Sequence, residues 1–528
     1  AEYNYQIQTA AIDHYKELPG DKHFDGNKHH DDQWYMHHCG IPDGYGQMQT
    51  DGGSPSVIVA VIDTGVDYDH EDLAQNMWFN PGEIPDDGRD NDGNGYVDDY
   101  YGINLIAGKG SADDDNGHGT HVAGIIAAQN NNLGTVGIAY NVKIMPVKAA
   151  MASGYLHQSD IARAILYAHQ HGAQVINMSF GGTASSIAVQ DALAMAYADC
   201  VLVASAGNDG APNEGIGAIP NYPAALSYVL GVMSVDSTGR ESGFSNYDTY
   251  QFNGVEYELY APGEYILSTI PGDGYASWSG TSMAAPHMSG LALLVRQAVM
   301  RNWGITSKLA VADLSEHLLV STAVPQLDEN GIFYSPRYQG AGLVNVSAAV
   351  STPAFISVEG QTVGKLELKD DPQRTGVYEL TFQVNNLSDR DVTYSVAATL
   401  TRPDTDVFES QWGQVEVALD RNVLLLQENL GSVTVPAGQT VTVSKIVELT
   451  AEAKAEMDEK FSNGTYVEGF VSLTSENEPT IGLPVLAFYG DWSDPSMYDV
   501  GSQITFATGE EKRSSYLDSP YGNAVGII

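Results

Sequence analysis

The chain has 528 residues, 43% of them hydrophobic, with 55 glycines, which is too long for one ordinary domain and too apolar for a disordered polymer. Asp and Glu number 67 against 24 Lys and Arg, a formal charge of -43 that repels phosphate backbones and speaks against nucleic acid as a partner. No apolar run approaches the roughly 20 residues of a membrane span, and two cysteines, Cys39 and Cys200, cannot make a disulfide framework, whether or not they pair. Solubility, adaptation to salt and carboxylates committed to metal ions together account for the charge.

Residues 1–50 read as an extension leading into the first domain. They show no signal-peptide pattern, so Ala1 reads as a processed end. Five histidines lie between His23 and His38, beside Trp34 and Tyr35, without a spacing that selects a metal-ligand pair; solvated side chains are expected.

From 51 to 350 the texture is that of an α/β domain. Val57 to Ile62 is a short apolar run closed by Asp63, as for a strand buried on both faces. Lys143–Val147, Val175–Ser179 and Val201–Ser205 repeat it, with helical stretches at Ser159–His171 and Ile187–Ala198 between them. Such alternation predicts a mostly parallel sheet with helices on both faces and reactive loops at the carboxyl ends of the strands. Asp63, Ser179 and Asn208 fall at or just past such ends.

Between Asp63 and His118 runs an acidic segment. Asp90, Asp92, Asn94 and Gly95 match positions 1, 3, 5 and 6 of an EF-hand-type loop, Tyr96 offers a carbonyl at the seventh and Asp98 stands at the ninth. Tyr101 replaces the usual glutamate at the twelfth. Carboxylates so clustered repel one another unless a hard cation sits among them, so a bound Ca2+ is expected over a bare solvated loop.

His118 opens Gly117-His118-Gly119-Thr120-His121-Val122-Ala123-Gly124, and Ser282 stands in Gly280-Thr281-Ser282-Met283-Ala284-Ala285-Pro286-His287, where small residues begin an apolar helix. Either stretch alone reads equally as a tightly packed helix start. Taken with Asp63, they are the parts of an acyl-transfer site: a carboxylate to orient an imidazole, the imidazole to move a proton, and a hydroxyl to attack a carbonyl. Ala284 breaks the Gly-x-Ser-x-Gly pattern of α/β-hydrolases, and the chain order Asp, His, Ser is wrong for that fold.

These three motifs, with Val61-Ile62-Asp63-Thr64-Gly65-Val66-Asp67 as the first, resemble the subtilisin-family serine peptidases (subtilases) over residues 31–350. The resemblance implies a secreted or cell-surface serine endopeptidase acting on polypeptides, an inhibitory propeptide in its precursor, and His118 rather than His121 as the catalytic imidazole. It assigns the oxyanion hole to the Asn208 side chain and the Ser282 backbone N–H. It makes Ser179-Phe180-Gly181 the strand that pairs with an extended peptide and, with Ala204-Ser205-Ala206, the two walls of the pocket for the residue before the cut. Asp209 reads either as a pocket rim favouring a basic side chain or as a solvated turn aspartate. A second calcium site follows from the same resemblance, with side-chain oxygens of Asp72 and Asn131 and carbonyls of Gln129, Leu133 and Thr135, on a loop interrupting the helix that carries His118.

Residues 351–500 show alternating short strands, as in Val377–Val384 and in Val433–Val435 and Thr440–Val443 around Pro436-Ala437-Gly438. An antiparallel β-sandwich is expected. The stretches Asn463–Leu473 and Leu483–Trp492 resemble the fibronectin-III-like domain of cell-envelope subtilases of the lactocepin and C5a-peptidase group. Those enzymes often carry an insert between the oxyanion asparagine and the serine; here Asn208 and Ser282 lie 74 positions apart, which leaves no room for it. The second domain reads as a buttress, or alternatively as a surface-attachment module. Residues 501–528 read as a C-terminal segment opening a further region.

Overall fold

The computed structural model describes residues 6–9, 33–48, 52–210, 220–247, 257–410, 413–461 and 464–491. His23, His29, His30 and the segment 501–528 lie outside the described residues; of the other two histidines of the cluster, His37 is half-buried and His38 exposed.

In chain order the first part contains β1 (Gln6–Thr9), α1 (Tyr35–His38), α2 (Ile41–Met48), β2 (Ile58–Asp63), β3 (Ile103–Asn104), α3 (His118–Ala127), β4 (Lys143–Lys148), β5 (Tyr155–His157), α4 (Gln158–Gln170), β6 (Val175–Met178), β7 (Phe180–Gly181), α5 (Ile187–Tyr197) and β8 (Val201–Ser205). It continues with β9 (Leu230–Val235), β10 (Leu259–Pro262), β11 (Ile266–Ile270), β12 (Gly274–Trp278), α6 (Thr281–Trp303), α7 (Lys308–Ser321), α8 (Pro336–Gln339) and α9 (Val346–Ser351).

The central sheet has seven strands in the order β10-β9-β8-β6-β2-β4-β3, every pair parallel. Its apolar runs follow from burial on both faces. Val59 and Val61 of β2 join the core under α3, α6, α7 and α9, while Ala60 and Ile62 join the core under α4 and α5. Cys39 belongs to the first core and Cys200 to the second, and both are free thiols. β2 lies between β6 and β4, so the strand order turns about it and opens a crevice at the carboxyl ends of the strands.

A separate three-stranded sheet has the order β5-β1-β7, with β1 antiparallel to both neighbours. Gln8 pairs with Tyr155 on one side and Gly181 on the other.

The second part holds β13 (Ala354–Ser357), β14 (Leu366–Asp371), β15 (Val377–Asn386), β16 (Val392–Ser410), β17 (Gly413–Val435), β18 (Thr440–Glu448), α10 (Ala451–Lys460), β19 (Thr465–Thr474) and β20 (Ile481–Tyr489). Sheets β13-β15-β18 and β14-β20-β19-β16-β17 enclose one core. Strict alternation along β15 turns Tyr378, Leu380, Phe382 and Val384 inward. The sandwich departs from the expected antiparallel pattern at one pair, β14 with β20, which is parallel because the chain returns to that edge only after crossing both sheets. α10 was not expected among strands; Thr450 caps it by accepting from the Ala453 N–H, and its Ala, Glu and Lys residues favour helix.

Candidate active site

β2 delivers Asp63, fully buried, to the crevice. Its Oδ1 accepts from the Thr64 N–H at 2.7 Å and lies 2.7 Å from His118 Nδ1. A carboxylate only accepts, so Nδ1 carries the proton and Nε2 is the basic nitrogen.

Glycine permits this approach: a Cβ on Gly119 would lie 2.0 Å from the Gly65 carbonyl oxygen and 3.0 Å from Asp63 Cβ. The start of α3 is held by Asp114, which sequence reasoning missed. Its Oδ1 accepts from the N–H groups of Asn116 and Gly117, and its Oδ2 from the N–H and hydroxyl of Thr120. A carboxylate at a helix start satisfies orphan donors and complements the dipole, and the Asp three residues before Gly117 was the available signal. His121 is fully buried, stacked on Trp278 at 4.5 Å, with Nε2 3.1 Å from the Ala276 carbonyl; burial pushes its pKa down to about 3. His118, not His121, meets Asp63.

Ser282 is the second residue of α6. Its hydroxyl donates to the Ser179 carbonyl at 2.9 Å, and the Ser179 hydroxyl donates to the Ser282 carbonyl at 2.9 Å. Behind them the Asn177 amide donates to Ser179 Oγ at 3.0 Å and the Ser289 hydroxyl to Asn177 Oδ1 at 2.8 Å, all buried. Asn177 and Ser289 also escaped the sequence reading.

Asn208 follows β8. Its Oδ1 accepts from both the N–H and the hydroxyl of Thr281 at 2.9 Å, which fixes the amide with its N–H2 as the opposite end. Ala204, Ser205 and Ala206 are buried beside it, as are Ser179 and Phe180. A Cβ on Gly181 would lie 2.1 Å from Asn221 Nδ2, and that amide donates to the Ser205 carbonyl at 3.2 Å, so Asn221 ties the two walls together. Asp209 is exposed and held by Asn246 through its N–H and its carboxylate.

In the acidic loop, carboxylate oxygens of Glu83, Asp90 and Asp92 lie within 4.8 Å of one another. Glu83 was not foreseen. Its Oε1 accepts from the Asn91 N–H at 2.7 Å, while its buried Oε2 has no hydrogen-bond partner among the described residues. Asp90 accepts from Gly93, Asn94 and Gly95 N–H groups, as an EF-hand-type turn requires. Asn94 donates to Asp92 and Asp99, the Tyr96 N–H returns to Asn94 Oδ1, and Asp98 accepts from the Gly88 N–H, outside the three-carboxylate group. Elsewhere, fully buried Asp72 accepts from the Thr135 N–H and the Tyr275 hydroxyl through Oδ2, while Oδ1 has no hydrogen-bond partner among the described residues. Burial pushes its pKa up to about 7. The Gln129 N–H reaches the Asp72 carbonyl and the Leu133 N–H reaches Asn131 Oδ1. This loop follows the end of α3 at Ala127 and does not interrupt the helix. An orphaned buried carboxylate oxygen at each place fits a hard cation.

Residues 54–342 match the subtilase family and residues 366–486 an Fn3-like domain. Subtilisin DY of Bacillus licheniformis is 36% identical over 297 residues, 56% of this chain and 90% of that protein. A thermophilic serine proteinase of Bacillus sp. strain AK1 is 41% identical over 246 residues, 46% of this chain and 53% of that protein. An intracellular serine protease of Paenibacillus polymyxa is 34% identical over 281 residues, 53% of this chain and 78% of that protein. By the match over residues 54–342, the Fn3-like match over 366–486 and the identity to subtilisin DY, the chain belongs to the subtilase family and is a subtilisin-like serine endopeptidase.

Proposed function

We propose that the enzyme hydrolyses extended polypeptides through an acyl-enzyme, with Ser282 as nucleophile, His118 as general base and acid, Asp63 as its orienting carboxylate, and Asn208 with the Ser282 N–H as the oxyanion hole. The observation that carries the substrate reading is β1: an extended segment of this chain is the middle strand between β5 and β7, whose edges pair with it on both sides. An incoming peptide adds to those edges in the same way, through main-chain bonds that do not depend on side-chain identity.

His118 Nε2 takes the Ser282 proton as Oγ bonds to the carbonyl carbon. The oxyanion then draws on the two donors, the C–N bond breaks, and the proton passes to the leaving amine; water repeats the sequence to release the acid. Because the Ser282 hydroxyl rests on the Ser179 carbonyl, it turns about χ1 before it reacts. Losing the Asn208 amide costs about 2.7–4 kcal/mol of transition-state stabilisation, the magnitude such donors carry in this family. Asn208→Ala therefore lowers kcat roughly 100- to 1,000-fold, and Ser282→Ala abolishes both turnover and labelling by a fluorophosphonate. Turnover retained in Ser282→Ala removes the assignment.

The same position of β1 supports an inhibitory propeptide strand in the precursor. Calcium is assigned to Glu83, Asp90 and Asp92, with Asn94 and the Tyr96 carbonyl as further donors and Asp98 at the loop's end. It is also assigned to Asp72, Asn131 and the carbonyls of Gln129, Leu133 and Thr135. When bound it neutralises these carboxylates and stiffens the loops; it takes no part in the peptide chemistry. No helix among the described residues is long and apolar enough to cross a membrane. We place the enzyme outside the cell, secreted or held at its surface; cell fractionation tests this, and activity recovered only inside the cell, where the Paenibacillus relative's name puts that protein, overturns it. Buried polar contacts between the two parts of the chain favour the buttress reading of the Fn3-like domain.

A further inference from the structure

The turn Ala206–Asp209 that carries Asn208 is held on one side by Thr281, whose hydroxyl accepts from the Gly207 N–H at 3.1 Å, and on the other by Asn246. Asn246 Nδ2 donates to the Ala206 carbonyl and to Asp209 Oδ2, both at 3.1 Å, and its Oδ1 accepts from the Asp209 N–H at 2.9 Å. Its own N–H donates to the Gly207 carbonyl at 2.9 Å. Gly207 has φ +107°, and a Cβ there would lie 2.4 Å from Asn246 Nδ2, so turn and amide touch with no slack. Every hydrogen-bonding group of Asn246 that meets this turn constrains where Asn208 points.

The next residue, Tyr247, is buried with its ring packed on that of Tyr338, 4.3 Å between centres and tilted by 49°. Tyr338 lies in α8, a single turn too short to hold its own position by helix cooperativity. Within its own domain α8 is held at its end by Gln339, which bonds the Gln326 backbone and the Tyr334 carbonyl; its Arg337 side is held by the other domain. Arg337 Nε donates to Glu468 Oε2 at 2.8 Å and Nη2 to Oε1 at 3.3 Å, while the Ser335 hydroxyl donates to the same Oε2 at 2.7 Å. Glu468, on β19, is fully buried, and the guanidinium sits 4.0 Å from the Tyr466 ring centre. A forked, buried Arg–carboxylate pair admits essentially one geometry.

We propose that Asn246 is the positioning residue of the oxyanion turn and that the Fn3-like domain holds it there through Glu468, Arg337, Tyr338 and Tyr247. The inference rests on Asn208 as the oxyanion donor. Displacing such a donor by a fraction of an ångström weakens it for the transition state while leaving ground-state strand pairing intact. The domain then acts on kcat and not on KM.

The test uses the full chain with active sites counted by fluorophosphonate titration and kcat measured per titrated site on a peptide anilide. Tyr338→Leu removes the ring that packs on Tyr247. The pair Arg337→Met with Glu468→Leu removes both charges together, which buried pairs tolerate far better than loss of one partner; if it does not fold, Tyr338→Leu carries the test. Each is expected to lower kcat per site about three- to tenfold with KM unchanged, and to add nothing in an Asn208→Ala background. A fall in melting temperature or in titratable fraction with kcat per site intact means a purely structural role and overturns the inference. So does a loss that multiplies with that of Asn208→Ala. Asn208→Ala with full kcat is a distinct failure, of the oxyanion assignment itself.

Discussion

The Ser179 hydroxyl occupies the place of a missing amide. Pro286 stands inside α6, where a helix would donate from residue 286 to the carbonyl of Ser282; proline has no N–H to give, and the Ser282 carbonyl accepts from Ser179 Oγ at 2.9 Å instead. The carbonyl of the proposed nucleophile is thus fixed from the neighbouring strand end, and the Asn177–Ser289 pair fixes Ser179 in turn.

Removing that hydroxyl leaves the Ser282 carbonyl and the Asn177 amide short of a buried partner, each worth about 1–3 kcal/mol. Ser179→Ala is expected to lose about 2–4 kcal/mol of stability in urea unfolding. In a Pro286→Ala background, where the helix regains its own donor, the same substitution should cost less. Equal costs in the two backgrounds would show that Ser179 does not substitute for the amide.

Two buried histidines set the acid limit. Burial holds His287 near pKa 4 and His121 near 3, against an unfolded value of about 6.5. The unfolded chain therefore binds more protons between those values, so the stability is fully present above about pH 6.5 and falls as pH drops towards 4 and 3. Each group contributes about 1.4 kcal/mol per pH unit within its window. Unfolding free energies measured from pH 7 to pH 4 should fall, and His287→Gln should flatten the slope by one group's share.

Calcium at the two assigned places predicts a thermal effect separate from chemistry. Saturating a site at about 100 times its Kd adds roughly 2.7 kcal/mol, so chelation should lower Tm by on the order of 5 °C and calcium should restore it. Glu83→Gln should weaken the loop site, read by calcium titration calorimetry. A Tm indifferent to chelator would remove both sites.

Met283 follows the nucleophile in sequence and is fully buried in the core beneath the sheet. Its sulfoxide would set a polar group among apolar neighbours next to Ser282. Peroxide should lower kcat in step with Met283 oxidation measured by peptide mass, and Met283→Leu should resist. Full oxidation with unchanged turnover would show that the packing tolerates the oxygen.

What the sequence determined by itself was the periodic and the local: apolar runs that alternate between two cores, the parallel sheet with helices on both faces, and a sandwich read from the two-residue alternation of β15. These are legible because burial on a strand or helix repeats with a short period along the chain. The family also was legible, since its three motifs are contiguous. What only the tertiary structure decided are relations between residues far apart in sequence. Ser179 standing in for the amide of Pro286 and Asn246 clasping the turn of Asn208 depend on where loops close, and no local pattern encodes that. The parallel pairing of β14 with β20 is of the same kind. A strand's apolar face is fixed by its own residues, but its neighbour is fixed by the packing of the whole sheet.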